Sequence, residues 1–278
     1  HPAVHDPIEI RRPTRWAWLP ALVMLGLMSA RGATVTWDDE AGDGHWETAR
    51  NWSGDVLPQP GDNVVITTPR NIFVSTSVTV AGLTLAPGIQ LNVYGAGVNF
   101  SASGATTADG TSLRISQGAR VRLPSLQQLV ESIWLVVEGV GSELDLPALE
   151  RLEGGDGSGT QIYVADGARL GLGALREIVT GTVQFDVRGA VTTLDLPQLV
   201  DLRGLVRFSA TGGAQVTFPR LQHYVQGDGS NWYWLQAVGE GSTLDFPMLN
   251  RLEGSLGSAT QIWVQDGGRV SLGALGEL

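Results

Sequence analysis

Residues 144–154 read LDLPALERLEG, and close copies stand at residues 194–204 (LDLPQLVDLRG) and 244–254 (LDFPMLNRLEG). In each copy an acid lies between two large apolar residues, and a proline follows. Self-similarity at a period of 20 to 50 residues is typical of solenoids, whose units bury their apolar residues only against neighbouring units. The residue before the corner recurs every 22 to 28 residues, at Leu123, Leu146, Leu172, Leu196, Phe218, Phe246 and Leu272.

Within a unit the apolar residues recur with a period of two, which is typical of strands. Leu144 and Leu146 share one face of such a strand, and Asp145 points to the other. Pro147 ends the strand, because proline has no N–H to donate to a neighbouring strand. We therefore predict an all-β fold, a single-stranded parallel β-helix (β-solenoid) that we expect to be right-handed. Ordinary leucine-rich repeats carry an asparagine and a helical stretch that these units lack, so we prefer the β-helix to a horseshoe.

Parallel stacking of the units places equivalent residues about 4.8 Å apart. The acids of the repeated phrase then face solvent on alternate coils, which keeps like charges about 10 Å apart. We interpret these acids as solvent-facing residues, with a functional carboxylate array as the less favoured alternative. The expected external ladder is Asp145, Gly171, Asp195, Thr217, Asp245 and Ser271, with Arg122 in the coil before.

The N-terminus predicts export. A basic flank precedes an apolar run over residues 16–30 and then small residues, a pattern typical of a secretory signal. The run is short for a bilayer span, so a retained membrane anchor is the alternative. We divide the chain into a signal peptide at 1–33, an N-terminal cap segment at 34–66, and a solenoid at 67–278 that we expect to be truncated at its C-terminus. The protein is expected to be secreted or displayed on a bacterial cell surface, with no membrane span after signal removal.

Composition limits the classes of partner. The formal net charge is −10, which makes nucleic acid an improbable partner. The chain has no cysteine, so stability depends on packing and backbone pairing and not on disulfides. We expect no cofactor and no metal site. The expected partner is an extracellular glycan or protein surface.

The segment TWDDEAGDGHWETARNWSGDVLPQPGDNVVI resembles the opening of secreted bacterial repeat proteins of the adhesin or autotransporter-passenger type. The later LPxLxxLxG units resemble the leucine-rich β-helix of receptor L-domains. Neither resemblance implies a catalytic activity. The residues that match the first pattern are Trp37, Gly44, Trp46, Asn51, Trp52, Pro58, Gly61 and Asp62.

An open solenoid end exposes core and unpaired strand edges, so it needs a cover. We expect Trp37, Trp46 and Trp52 to form that cap, with an aromatic sugar platform as the alternative. Less regular coils are expected to follow the cap, with strands at residues 64–67, 72–80, 83–85, 90–93 and 113–115.

Outward aromatic residues are the most suggestive functional feature. Tyr163 and Trp263 occupy matching positions beside Ile162 and Ile262, and alternation directs both rings outward. The NWYW run at residues 231–234 adds further rings, of which we expect at least one to be exposed. Exposed rings can stack on sugars or anchor a protein partner. The candidate ligand-binding residues are Tyr163, Trp232, Trp234 and Trp263.

Sequence patterns for metal binding and for catalysis are weaker. The acids near Asp38 and Asp43 could hold Ca²⁺ but lack EF-hand spacing, so a solvated loop is preferred. His45 and His223 are isolated in sequence and do not indicate a metal site. No GxSxG elbow is present. We therefore expect a non-catalytic, adhesin-like protein, with a carbohydrate-active β-helix enzyme (polysaccharide lyase or glycoside hydrolase) as the alternative.

Overall fold

A computed structural model describes residues 32–155, 159–226, 233–254 and 260–276. It is an all-β, parallel β-solenoid of about 8 turns, which confirms the predicted fold class. The described helical structure is a short 3-10 turn at Ala49–Asn51. Within these ranges no helix has the length and apolarity needed to cross a membrane. The proposed signal region up to residue 31 lies outside the described residues.

The strands are short and follow one another around each coil. The first part of the chain forms β1 (Thr34–Thr36), β2 (Asn63–Ile66), β3 (Asn71–Val74), β4 (Val78–Val80), β5 (Gly82–Leu85), β6 (Gln90–Tyr94), β7 (Asn99–Ala102), β8 (Thr106–Thr107), β9 (Ser112–Ser116), β10 (Arg120–Arg122), β11 (Gln128–Leu129), β12 (Trp134–Glu138) and β13 (Glu143–Asp145). The second part forms β14 (Arg151–Leu152), β15 (Thr160–Ala165), β16 (Arg169–Gly171), β17 (Glu177–Ile178), β18 (Thr182–Arg188), β19 (Thr193–Asp195), β20 (Asp201–Thr211), β21 (Gln215–Thr217), β22 (His223–Gln226), β23 (Tyr233–Val238), β24 (Thr243–Asp245), β25 (Arg251–Glu253), β26 (Thr260–Gln265) and β27 (Arg269–Ser271).

These strands stack in parallel on three sides of the solenoid, and their hydrogen bonds group them into sheets of 4, 6, 14 and 3 strands. We name the strands on each side as one sheet. The long sheet contains β3, β6, β9, β12, β15, β18, β20, β23 and β26. The rung sheet carries the repeated phrase and contains β4, β7, β10, β13, β16 and β19, followed by β21, β24 and β27. The third sheet begins with β1, β2, β5 and β8 and continues with β11, β14, β17, β20, β22 and β25.

Matched registration puts the apolar residues in internal columns. In the rung sheet Leu144 pairs with Leu170, and Leu170 pairs with Leu194. Leu149 and Leu152, after the proline, are also buried, so the corner stays apolar. The pre-proline column is equally enclosed, and its buried members are Leu123, Leu146, Leu172, Leu196, Phe218 and Phe246.

The predicted external ladder is confirmed in the rung sheet. Arg122 pairs with Asp145, and Asp145 pairs with Gly171 on the next coil. Gly171 pairs in turn with Asp195. Thr217, Asp245 and Ser271 continue the same alternation further along the solenoid.

A tryptophan cluster closes the N-terminal end of the solenoid. The rings of Trp37 and Trp46 meet the ring of Trp52 edge to face, at centroid distances of 4.8 and 4.5 Å. Trp46 also packs against Phe100, with centroids 5.3 Å apart. All three indoles are buried. Packing in a cap requires buried rings, whereas a platform that stacks on sugars requires exposed rings.

The expected strand over residues 72–80 is in fact two strands. β3 ends at Val74 and β4 begins at Val78, so the chain turns a corner between them. Glu47 from the cap accepts hydrogen bonds from the N–H groups of Ser75 and Thr76, at 2.6 and 2.8 Å. A side chain distant in sequence therefore accepts the hydrogen bonds of the backbone N–H groups at this corner. The local apolar pattern could not reveal the turn. β7 and β8 were not among the predicted strands.

Candidate binding face

The outer surface of the long sheet carries most of the exposed aromatic residues. We call its outward residues from β6 to β26 the long-sheet face. Because successive side chains in a strand alternate, this face consists of parallel columns with one residue per coil. One column contains Asn92, Arg114, Val136, Tyr163, Asp186, Ser209, Gln236 and Trp263. Its neighbour contains Trp134, Gln161, Gln184, Arg207, Trp234 and Gln261.

The structure places three of the four predicted ligand-binding residues on this one face. Tyr163 and Trp263 lie in the same column, four coils apart, which corresponds to about 19 Å. Trp234 lies in the adjacent column. Trp232 lies outside the described residues.

Trp134 is an aromatic residue that the sequence reasoning missed. Its side chain is 57% exposed, more than any other described tryptophan on this face. Leu135 and Val137 point inward on the same strand, so the alternation used for Tyr163 would also have directed Trp134 outward. The alternation in the WLVVE stretch therefore already indicated an outward Trp134.

The four described rings form two equivalent diagonal pairs. Trp134 is in register with Gln161, two residues before Tyr163. Trp234 is in register with Gln261, two residues before Trp263. Each pair therefore spans adjacent coils and two strand positions, which separates its Cα atoms by about 8 Å. The second pair repeats the first after 100 residues of sequence, as the long internal repeat requires.

Arginine side chains cover part of the first and second pairs. The Arg188 guanidinium lies 5.1 Å from the centre of the Tyr163 ring, and Asp186 holds that guanidinium through hydrogen bonds of 3.0 and 2.5 Å. These bonds raise the pKa of Arg188, so it stays charged. Arg207 lies 4.5 Å from the centre of the Trp234 ring. Cation–π contacts of this kind fix the orientation of the rings.

Trp263 projects outward from β26, the last strand of the long sheet that the structure describes. Its Nε1–H donates to Oε1 of Gln261 at 2.8 Å. The hydrogen bond satisfies the polar edge and leaves the apolar surface of the ring to solvent. An exposed ring held in this way suits stacking on the apolar face of a sugar or contact with a protein partner.

A cavity of about 710 Å³ extends the same face toward the cap. Arg114 and Glu138 form an ion pair of 2.5 Å in its lining. His45 and Phe73 contribute rings whose centroids are 5.7 Å apart. Its lining residues include His45, Phe73, Asn92, Tyr94, Arg114 and Glu138. Aromatic and hydrogen-bonding side chains thus continue beyond the two aromatic pairs.

The acids of the repeated phrase lie on a different side, in the rung sheet. Asp195 accepts hydrogen bonds from Nε and Nη2 of Arg169 at 3.0 and 2.8 Å, and these bonds raise the pKa of Arg169. Asp145 forms an ion pair with Arg122. A cavity of about 450 Å³ includes Asp145, Arg169 and Asp195 in its lining. Arginine side chains thus occupy oxygen atoms of both carboxylates.

The acids of the N-terminal loop are engaged in local contacts. Asp43 accepts hydrogen bonds from the His45 N–H at 2.9 Å, the Thr48 hydroxyl at 2.7 Å and the Asn51 amide at 2.6 Å. These bonds lower the pKa of Asp43 to about 2. Asp39 forms an ion pair with Arg70. Among the described residues, no group of three or more His, Cys, Asp or Glu side chains is arranged to hold a metal ion.

No protein-family model, curated protein or solved structure matches this chain. The fold is therefore established from the chain's own strand register, as a parallel β-solenoid of about 8 turns.

Proposed function

We propose that this protein is a non-catalytic interaction protein, secreted or displayed on a bacterial surface, whose long-sheet face binds an extracellular glycan. The observation that carries the proposal is the two diagonal aromatic pairs, Trp134 with Tyr163 and Trp234 with Trp263. Their rings occupy equivalent positions on one flat face. Contiguous exposed aromatic surface on a soluble protein commonly marks an interaction site.

A rigid solenoid suits this role. It holds the two pairs at a fixed separation of about 19 Å, so a long polymer can contact both pairs at once. The second contact is then intramolecular, and it raises the overall affinity without any new kind of contact. The resemblance of the cap motif to adhesin and autotransporter passengers supports an extracellular location, as does the predicted signal peptide.

A carbohydrate-active enzyme is the second candidate. It is favoured by the cavity that includes both Asp145 and Asp195 in its lining together with Arg169. Both carboxylates, however, are engaged in ion pairs with arginine, so neither is free to contact a glycosidic bond or its attacking water. The first candidate therefore has the stronger support.

A glycan array combined with a reducing-end release assay separates the two candidates. We expect the purified protein to bind one or more polysaccharides without releasing reducing ends. Release of reducing ends that is abolished by Asp195→Ala would identify an enzyme. Binding to protein-coated surfaces alone, with no glycan signal, would identify a protein partner and contradict the glycan assignment.

A further inference from the structure

A third aromatic ring lies in line with Tyr163 and Trp263, in the outward column that we call the ring column. This ring is Phe73 of β3. Parallel pairing places Phe73 four coils before Tyr163, just as Tyr163 lies four coils before Trp263. The residues between Phe73 and Tyr163 in this column are Asn92, Arg114 and Val136. Three rings therefore recur along one line at intervals of about 19 Å.

The cap supplies a second ring next to Phe73. His45 forms a parallel bridge with Phe73, so the cap segment adds one more residue to the ring column. The centroids of the two rings are 5.7 Å apart, and the ring planes are tilted by 39°. His45 is exposed and Phe73 is half-buried, so a ligand can reach both rings from outside. Each ring position of the column therefore has a second ring beside it.

The cavity of about 710 Å³ lies beside these two rings, and we call it the cap cavity. Hydrogen-bonding side chains line it from two adjacent outward columns. Arg114 belongs to the ring column. Tyr94, Ser116 and Glu138 form the next column, because parallel pairing joins each residue to the following one. The register thus directs these side chains to the same side of the sheet, where all four line the cap cavity.

Two hydroxyl groups of the cap cavity are available to a ligand. Among the described residues, neither the Tyr94 hydroxyl nor the Ser116 hydroxyl has a hydrogen-bond partner. A hydroxyl both donates and accepts hydrogen bonds, as the hydroxyls of a sugar do. The cavity therefore combines rings for the apolar face of a sugar with hydroxyls for its polar edge.

The charges of the cap cavity disfavour an acidic ligand. Nη2 of Arg114 donates to Oε1 of Glu138 at 2.5 Å, so this positive charge is already matched. The backbone N–H of His45 donates to Asp43, which places a carboxylate beside the imidazole. The remaining charged group of the lining is the exposed carboxylate of Asp166. An acidic sugar would face this carboxylate without an unmatched arginine to bind it, whereas a neutral sugar avoids the repulsion.

We propose that the cap cavity is a third contact site for one neutral, extended polysaccharide that lies along the ring column. The proposal rests on the glycan-binding function proposed above, and it adds the class of glycan and the direction of the chain. Phe73 and His45 contact the C–H face of one sugar residue. Tyr94 and Ser116 bind sugar hydroxyls through their own hydroxyl groups. The bound polymer spans the ring column from Phe73 to Trp263, a distance of about 38 Å.

Binding isotherms with matched neutral and acidic polymers test the class of ligand. The probes are cellulose, xylan and galactomannan, each as a hydroxyethyl and a carboxymethyl derivative of equal substitution. We expect at least one hydroxyethyl polymer to bind the full protein about threefold or more tightly than its carboxymethyl counterpart. Binding of carboxymethyl polymers alone would overturn this proposal and leave the glycan-binding function standing.

Variants of the cap cavity test the third contact site with the neutral polymer that binds most tightly. Phe73→Ala should weaken binding about threefold to tenfold. Tyr94→Phe removes only a hydroxyl, so it should weaken binding about threefold and leave the melting temperature unchanged. The control is Thr79→Ala, an exposed position of β4 in the rung sheet, and it should keep wild-type affinity.

The double variant Trp134→Ala/Tyr163→Ala separates failure of this proposal from failure of the proposed function. Weaker binding in the double variant, with wild-type affinity in both Phe73→Ala and Tyr94→Phe, would overturn the third contact site alone. Wild-type affinity in all three variants would overturn the glycan-binding role of the long-sheet face as well. An equal loss of affinity in Thr79→Ala would also overturn the assignment to the cap cavity.

Discussion

Phe218 and Phe246, on adjacent coils, stack with ring centroids 4.5 Å apart and ring planes within 4° of parallel. Each ring precedes a proline in the repeated phrase, at Pro219 and Pro247. Phe208 of the long sheet meets Phe218 at 4.6 Å from across the core. The inward columns of two sheets therefore share one aromatic layer, and the stability of neighbouring coils is coupled through it.

Truncation of this layer should be costly. Phe246→Ala is expected to lower the free energy of unfolding by about 3 to 5 kcal/mol, because it removes a fully buried ring and leaves a cavity. Met248→Ala, two residues away but 51% exposed, should change it by about 0.5 kcal/mol or less. Denaturant titration of both variants gives the comparison. Similar losses in the two variants would contradict the inward assignment of Phe246.

Substitutions at inward and outward positions of the repeated phrase should destabilise the fold to very different extents. Leu146→Asp is expected to cost several kcal/mol, about 3 or more, because it places an unpaired charge in the core. Asp145→Ser removes only an exposed ion pair with Arg122 and should cost about 1 kcal/mol or less. Thermal and denaturant unfolding of the two variants checks this difference. Comparable destabilisation would mean that the alternation is wrongly assigned.

Acid should weaken the N-terminal cap through Asp43. Hydrogen bonds from His45, Thr48 and Asn51 lower the pKa of Asp43 from 3.8 to about 2. Since the folded pKa lies below the unfolded value, the ionised carboxylate stabilises the fold above pH 3.8. That contribution is lost as the pH falls toward 2.

The variant Asp43→Asn measures this contribution. Its melting temperature should lie below that of the wild type at pH 7, and the difference should shrink as the pH falls from about 4 to about 2. Glu47 contributes in the same direction in both proteins. Burial opposes its ionisation, but hydrogen bonds from Ser75 and Thr76 outweigh burial and lower its pKa. A difference in melting temperature that stays constant with pH would exclude the role assigned to Asp43.

The two aromatic pairs should act together on a long glycan. Replacing both members of one pair, as in Trp134→Ala/Tyr163→Ala, should weaken binding of a polymer more than binding of a short oligomer, because only the polymer reaches both pairs. The equivalent variant Trp234→Ala/Trp263→Ala should behave in the same way. Surface-based binding kinetics with glycans of graded length provide the measurement. Equal effects at every length would show that the pairs do not bind one chain simultaneously.

Much of the fold could be predicted from the sequence because the signal is periodic at two scales. Alternation within a unit predicted that Leu144 and Leu146 point inward and that Asp145 points outward. The recurrence of the phrase fixed the register between coils. Both signals are local or repetitive, and the ladder from Asp145 to Asp195 follows from them without any information on distant contacts.

Other features depend on contacts between distant residues and left no local pattern. The corner between Val74 and Val78 is stabilised by Glu47, which lies in the cap. The strand β20 passes through a corner without a break between Asp201 and Thr211, which the apolar pattern does not distinguish from the broken strands of neighbouring coils. In sequence His223 is isolated, and only the stacking of coils brings it beside Asp201. Functional side chains that gather across coils are therefore the part that sequence reasoning could not place.

Binding isotherms for the strongest glycan from the array test the central claim most directly, with the wild type compared with Trp234→Ala and with the exposed control Met248→Ala. Loss of one stacked ring is expected to weaken binding about threefold to tenfold, while the control keeps wild-type affinity. Neither variant should alter the melting temperature appreciably. Unchanged affinity in Trp234→Ala, or an equal loss in Met248→Ala, would contradict the assignment of the long-sheet face as the glycan-binding surface.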